Sequence, residues 1–410
     1  MKRSILLLGG SRQQVVAIKK AKELGYRTVV CDYLPDNPGQ FEADVFYQES
    51  TTDRDAILNI AIKENVSGVL AYSSDPAAPT AGYVAERMGL PTNPLRSIEI
   101  MSVKHLFRSF MQDSALPCPR AVSIRMEEDF EEIRSRVSDL HFPIVVKPTD
   151  SSGSKGVRFI DDIEQLGDAL ANAKKYSRNS VLIAEECIRK TYPEVIGGDI
   201  FVVDGRIQFY GLMTCSRDVK LGGLVPVGKK MPPSISQSEF DSICAVLQKL
   251  VTKLNLRFGE LNVEVIIGEG GIPYVIELGS RAGGNMIPIQ LSDASGIDLV
   301  SANVLAAMGD DNLDLRWSSY GSDVPLATYV VHSRRSGVLE SVAIPSDVER
   351  YVYRAIWYKK PGDAVCRFDG ADKALGILFL KFENNDQMRE ICSTLCDRVQ
   401  VVLRGDLDEE

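Results

Sequence analysis

Glu264 and Glu277 are the residues from which chemistry can be read first. They sit in two strand-like runs, Asn262-Val263-Glu264-Val265-Ile266-Ile267 and Pro273-Tyr274-Val275-Ile276-Glu277-Leu278, joined by Gly268-Glu269-Gly270-Gly271-Ile272. A turn centred on Gly270-Gly271 sets the two glutamates directly opposite one another, with Cβ atoms about 4.5–5.5 Å apart. Like charges so placed destabilise a hairpin unless a cation lies between them, and carboxylates together with substrate phosphates are a common way to hold Mg²⁺. Spacing alone leaves a plain edge hairpin with two solvated glutamates as an equal reading. A turn one residue longer would break the opposition.

Phosphate chemistry is suggested upstream. Pro143-Ile144-Val145-Val146-Lys147-Pro148 reads as a buried strand ending in a lysine, and Thr149-Asp150-Ser151-Ser152-Gly153-Ser154-Lys155-Gly156-Val157 follows it. Small residues let backbone amides approach phosphate oxygens, hydroxyls add donors, and Lys147 and Lys155 supply charge. The pattern G-x-x-x-x-G-K-[ST] is absent and a strand follows rather than a helix, so a plain flexible hairpin stays open as the alternative. Near the start, Gly9-Gly10-Ser11 closes a strand ahead of a helix. G-x-G-x-x-G is missing there, which argues against a nicotinamide site and favours a scaffold or substrate-edge role, with amides at a helix N-terminus.

Placing these residues takes several subdomains, as expected for 410 residues. Residues 1–95 alternate strands (5–8, 28–31, 68–72) with helices (14–24, 56–64, 80–88), the pattern of a parallel α/β sheet. One helix is expected over 98–114. Strands at 142–147, 157–160 and 181–184 then alternate with helices at 127–138 and 163–175. Asp204-Gly205 signals a two-residue hairpin turn. A long amphipathic helix over 240–254, the glutamate hairpin over 261–278 and a helix over 298–308 come next. Residues 311–410 read as a further α/β piece, with strands at 327–332 and 377–382, a helix at 385–399 and a fraying polar tail at 404–410. The divisions implied are 1–95, 96–190, 191–310 and 311–410.

Composition narrows the function classes. A net charge of −9, with no long Lys/Arg cluster, argues against a nucleic-acid partner. No run of 18 apolar residues occurs and the apolar stretch 5–8 is too short for a signal-peptide core, so a membrane is not expected. The eight cysteines include no C-x-x-C and read as reduced thiols of a cytoplasmic protein.

Taken together, the strand-Lys-Pro, the Ser/Gly loop, Val181-Leu182-Ile183-Ala184-Glu185-Glu186-Cys187-Ile188, the two late glutamates and Glu277-Leu278-Gly279-Ser280-Arg281 resemble the ATP-grasp superfamily over residues 1 to about 310, and more weakly to about 400. The resemblance implies an α/β fold: an N-terminal parallel domain (1–95), an ATP-grasp small lobe with its linker helix (96–190), a large lobe with the metal hairpin (191–310) and a small C-terminal extension (311–410). It implies ATP as the energy source and Mg²⁺, with Mn²⁺ as a substitute, on Glu264 and Glu277. Lys104 and Lys147 match the phosphate lysines, and Ser151, Ser152, Gly153, Ser154 and Gly156 match the loop that closes over the phosphates. Glu185, Glu186 and Ile188 match the linker that reads adenine, and Glu194 matches the ribose acid with three extra residues of spacing. Arg281 matches the arginine that holds the carboxylate and then the acyl phosphate. The motif Asn is replaced by Gly279, which puts the second metal site in doubt.

Glu277-Leu278-Gly279-Ser280-Arg281 with Ala282-Gly283-Gly284-Asn285, Val225-Pro226-Val227-Gly228-Lys229-Lys230-Met231-Pro232 and Lys360-Pro361-Gly362-Asp363-Ala364-Val365 look like the L-amino acid ligase branch. Many relatives of that branch carry His where Lys229 stands; here a lysine would place fixed charge near the substrate carboxylate, with a solvated loop lysine as the equal alternative. The activity implied is ATP-dependent joining of a small carboxylic acid to an amine through an acyl phosphate, with a homodimer compatible. Two rivals are an ATP-grasp enzyme of carbamoyl-phosphate or purine-synthesis type using bicarbonate or formate, and a nucleotide-binding regulatory protein without turnover. No general base is identifiable.

Overall fold

Four consecutive aliphatic residues, Ile5 to Leu8, leave no polar face, and the strand Ser4–Leu8 is buried on both sides. In the computed structural model, which describes residues 2–151, 155–221, 225–310 and 313–406, this strand is central in a parallel sheet. The order is Val45–Gln48, Arg27–Asp32, Ser4–Leu8, Gly68–Leu70. Leu6 and Leu8 pack with Ile57, Ala61 and Val84 on one face. Ile5 and Leu7 pack with Ile18, Val300 and Val304 on the other. The helix Leu299–Ala307, distant in sequence, thus covers the parallel sheet and ties it to the later part of the chain. Val45–Gln48 has no counterpart among the expected strands; it is a half-buried edge, too short and too polar to show an apolar run.

A four-stranded antiparallel sheet follows, ordered Ala121–Arg125, Val181–Glu186, Ile144–Pro148, Arg158–Ile160. Helices Phe130–Ser138 and Leu166–Lys174 enclose its core around Ile144, Val146, Leu166 and Ala184. The helix expected over 98–114 is instead two, Leu95–Ser102 and Lys104–Asp113. Val103 between them is extended (φ −125°, ψ 112°), and the Lys104 amide donates to the Thr149 carbonyl at 2.9 Å rather than within a helix. The break makes Lys104 the first residue of the second helix, at the border of the Ser/Gly loop.

The largest sheet has nine strands and begins with the glutamate hairpin, Pro273–Gly279 beside Phe258–Ile267. It continues through Val195–Val203, Arg206–Arg217, Pro226–Met231, Leu326–Val331, Gly376–Lys381 and Val352–Trp357, with the ninth, Trp317–Ser318, pairing off this path with Arg206–Arg217. Asp204 and Gly205 at φ +46° and +75° make the tight turn their sequence demands. Helix Gln237–Lys253 opens with a capping box between Ser236 and Glu239, and lays Phe240, Ile243, Leu247, Leu250 and Val251 under the sheet at helical spacing. Residues 404–406 do not fray as expected: Gln400–Asp406 pairs with Gly337–Ala343, which supplies the backbone partners that spacing could not reveal, while 407–410 lie outside the described residues. No described helix is long and apolar enough to cross a membrane.

Candidate active site

The hairpin reaches the expected opposition by an unexpected route. Its loop is a single 3₁₀ turn, Glu269–Gly271, with Gly270 and Gly271 at φ +72° and +73°. Beside it Ile267 pairs with Pro273, Ile266 with Tyr274 and Val265 with Val275, one residue out of step with a turn centred on Gly270-Gly271. A bulge then skips Ile276 and restores the pairing of Glu264 with Glu277. A bulge leaves its extra residue without a ladder partner. Here the Ile276 carbonyl accepts from Arg108 Nη2 at 2.8 Å.

Arg108 is 2% exposed and connects both ends of the cleft. Its Nε lies 3.0 Å from Glu185 Oε1, while Lys147 Nζ lies 2.7 Å from Glu185 Oε2. Burial alone would raise the Glu185 carboxyl; Arg108 and Lys147 outweigh it and hold the group at about 2. Burial pushes the Lys147 ammonium down from its usual value, against the pull of Glu185. Glu277 is the opposite case. Enclosure raises its carboxyl, Lys104 opposes that, and the neighbouring carboxylates Asp75 and Glu264 add to the rise. Arg217 Nη2 lies 3.6 Å from Glu264 Oε1, and Arg281 also pulls the Glu277 carboxyl down. Two carboxylates directly opposed fit a divalent cation between them.

Lys104, Lys147, Ser151, Glu185, Glu186 and Ile188 line one cavity of about 240 Å³ together with Glu264 and Glu277. Val145, Val157, Phe159 and Ile266 give it apolar walls suited to a flat ring. Lys104 Nζ donates to the Ser151 carbonyl, and Gly156 takes φ +76° at the end of the loop. Ser152, Gly153 and Ser154 lie outside the described residues. The Glu185 carboxylate is engaged by the two cations, so adenine would be met there by backbone rather than by this side chain. Glu186 is held by His141, its carboxylate accepting from the His141 amide at 2.9 Å, and by Arg120 at 3.2 Å.

Three expected residues are not among those lining this cavity. Glu194 pairs with Lys230 at 2.7 Å and accepts from the Tyr192 hydroxyl at 2.9 Å, while its neighbour Val195 lines the cavity. Lys229 is neither a loop residue nor solvated. It lies in the strand Pro226–Met231, 7% exposed, with Nζ 2.9 Å from Cys215 Sγ. Arg281 forms a two-pronged pair with Asp75, Nε to Oδ1 at 2.7 Å and Nη2 to Oδ2 at 2.8 Å. A Cβ on Gly279 would sit 3.2 Å from Asp75 Oδ1, so the missing Asn side chain has its space occupied by this pair. Loops of the parallel sheet support the same segment: Ser73 Oγ donates to the Gly283 carbonyl at 3.0 Å, and Asn285 N donates to Gln13 Oε1 at 2.7 Å.

Asp75, Arg108, Lys190 and Arg217 border the site without having been singled out from sequence. Arg108 did carry a signal, as a charge between Phe107 and Met111 on the buried side of its helix. The others are brought in by long-range packing.

Residues 140–289 match the family model described as an ATP-grasp domain. The chain is 24% identical over 310 residues to the carbamoyl phosphate synthase large chain of Thermoanaerobacter pseudethanolicus, covering 74% of this chain and 28% of that one. It therefore spans little more than a quarter of that relative's length. An uncharacterised protein of Sinorhizobium fredii is 26% identical over 336 residues, covering 77% and 65% of the two chains. Among solved structures, an L-amino acid ligase from Bacillus licheniformis superposes with a TM-score of 0.83 at 17% identity, covering 98% and 99%. A phosphoribosylglycinamide synthetase from Anaerococcus prevotii gives 0.76 at 18% identity, covering 98% and 100%.

Proposed function

The chain carries an ATP-grasp domain, and on that premise we propose that it is an ADP-forming ligase joining a small carboxylic acid to an amine. The observation that carries this reading is the pair Glu264 and Glu277, directly opposed in the ladder, at one end of a cleft lined also by Lys104, Lys147, an apolar slot, Ser151 and Lys155. Glu264 and Glu277 would hold Mg²⁺, which supplies charge neutralisation for the β- and γ-phosphates. Lys104 and Lys147 would orient the phosphates, with Glu185 and Arg108 fixing the lysine. A substrate carboxylate oxygen attacks the γ-phosphorus, giving an acyl phosphate and ADP; catalysis of such a step is mainly positioning and charge stabilisation. Arg281 would steady the carboxylate and then the acyl phosphate, its own orientation set by Asp75. A neutral amine attacks the acyl carbonyl and phosphate leaves.

The test is phosphate release across amino acids and small carboxylates, singly and in pairs, with products weighed by mass spectrometry. Acid-dependent phosphate release with an amide product supports the ligase; ATP binding without release over the whole panel would contradict it. The likeness to carbamoyl phosphate synthase chains gives a second reading in which bicarbonate is the carboxylate, distinguished by a strict bicarbonate requirement.

A further inference from the structure

Two further carboxyl groups lie buried on the face of the large sheet that carries Glu264. In the ladder Glu260 pairs with Phe201 and Asn262 with Asp199. Asp199 and Glu260 are therefore diagonal neighbours on one side of the strands Val195–Val203 and Phe258–Ile267, and Glu264 follows at the same alternation. Asp199 is 0% and Glu260 4% exposed. Neither lines the cavity of Lys147 and Glu277.

Their four oxygens can be accounted for one by one. Asp199 Oδ1 accepts from Asn262 Nδ2 at 2.7 Å and Oδ2 from the Gly283 amide at 2.9 Å. Glu260 Oε2 accepts from Asn303 Nδ2. Glu260 Oε1 is buried and receives no N–H or O–H from the described residues; the Asp199 carboxylate is what lies within hydrogen-bonding reach of Glu260. Two carboxylates in contact away from water do not both stay ionised, and one proton between them makes Glu260 the donor and Asp199 the acceptor. Burial raises both carboxyls. The Asp199 charge drives Glu260 further, while Asn262, the Gly283 amide and Arg281 oppose the rise at Asp199. Among the described residues the other ionisable groups facing the pair are Arg281, Lys229 and Tyr72, with Asp75 acting on Arg281 and Asp298 on Tyr72.

The pair underlies the turn that carries Arg281. A Cβ on Gly283 would come within 2.6 Å of Asp199 Oδ1, so a glycine is needed for this amide to sit on the carboxylate. The Arg281 carbonyl accepts from the Asn262 amide at 3.0 Å, and Arg281 Nη1 donates to the Ala282 carbonyl at 3.1 Å. Residues 281–283 are thus held by Asp199 and Asn262 on one side and by Asp75 on the other. Glu260 also lines a cavity of about 90 Å³ with Thr92, Asn93, Ser280 and Arg281. That space is large enough for water, which gives the Glu260 proton a route of exchange.

We propose that Asp199 and Glu260 share one proton and act together as positioning residues for Arg281. With the proton in place the pair carries a single negative charge, and Asp199 holds the Gly283 amide. When the proton leaves, two carboxylates in contact repel one another, the turn over residues 281–283 loosens and the guanidinium loses its aim at the acyl phosphate. The effect on turnover rests on the ligase reading; the shared proton does not.

Glu260→Gln tests it, because the amide keeps a donor for Asp199 and an acceptor for Asn303 but has no proton to lose. Wild type and variant are compared on the full chain from about pH 6 to about pH 9. The readouts are the infrared absorption of protonated carboxyl groups, hydrogen exchange of the peptide spanning 279–285, and hydroxamate formation with MgATP, hydroxylamine and a mixture of L-amino acids and small carboxylic acids. Wild type should show a carboxylic-acid band at the acid end that fades towards the alkaline end and is missing from the variant throughout. Exchange and hydroxamate rates should match in the two proteins at the acid end. At the alkaline end wild type should exchange about tenfold faster and turn over about tenfold more slowly than the variant. Absence of any band that depends on Glu260, or an exchange ratio between the two proteins that stays flat with pH, would overturn the inference. Should the variant not fold, the pH course of the band and of exchange in wild type decides alone. Hydroxamate from neither protein, with band and exchange as expected, sinks the ligase and leaves the pair. Hydroxamate from both at a ratio that does not change with pH leaves the ligase and sinks the pair as a positioning device.

Discussion

Glu185 and Glu277 border the same cleft, and their surroundings drive them in opposite directions. Glu185 lies between Arg108 and Lys147 and is held at about 2. Glu277 faces Glu264 with Asp75 nearby, and its carboxyl is raised. One carboxylate is in contact with two cations; the other is buried facing a second carboxylate, with Lys104 and Arg281 pulling against the rise. The difference separates an anchor from a ligand. A carboxylate flanked by two cations can hold a lysine in place, whereas two carboxylates facing one another suit a cation between them. Arg108 links the two, because the guanidinium that neutralises Glu185 also takes up the bulge carbonyl that keeps Glu277 opposite Glu264.

Breaking the contrast at Glu277 should have the largest effect. Glu277→Ala should lower ATP turnover by about 10³-fold or more, comparable to losing a principal transition-state contact, with the protein still folded by circular dichroism. Breaking it at Glu185 should act on stability instead. Glu185→Gln leaves Arg108 and Lys147 without their shared partner and should cost about 3–5 kcal/mol in urea unfolding, with loss of ATP affinity following. Near-native stability in that variant would mean the pairing is not the anchor described.

The depressed Glu185 carboxyl also fixes a pH window. Its contribution to stability is present above the ordinary glutamate value of about 4.3 and is lost as pH falls through about 2, so Glu185→Gln should narrow its gap to wild type in acid unfolding over that interval. A smaller effect is expected at Gly279. Gly279→Asn crowds Asp75 Oδ1, which a Cβ there would approach to 3.2 Å, and should loosen the Asp75–Arg281 pair. About a tenfold rise in the acid substrate's KM is expected, with little further rise in the double variant with Asp75→Ala, because both changes act through the same pair. Additive losses would show that the two positions do not share the space.

Much of this was legible in the residue order. The opposition of Glu264 and Glu277 and the Lys147 strand each follow from local spacing. The turn did not follow: its one-residue shift is cancelled by the bulge at Ile276, and a bulge that depends on Arg108, 168 positions away, leaves no mark in the hairpin's own sequence. Asp75 was hidden for the same reason, since its partner is 206 positions on. The helix break at Val103 was equally unreadable, because the Lys104 amide is drawn out by a carbonyl from another element. The solvated-loop alternative for Lys229 stayed open in the sequence because its strand is recognisable only through its pairing with Cys215 and Thr328.

The central claim is that the Glu264–Glu277 pair serves ATP-dependent activation of a carboxylate. The most direct measurement is hydroxamate formation with ATP, Mg²⁺ and hydroxylamine over a panel of carboxylic acids, comparing wild type with Glu277→Ala. The account predicts an acid-dependent hydroxamate from wild type and none from the variant. Equal hydroxamate from both, or ATP turnover in wild type that never yields a hydroxamate with any acid, would contradict it.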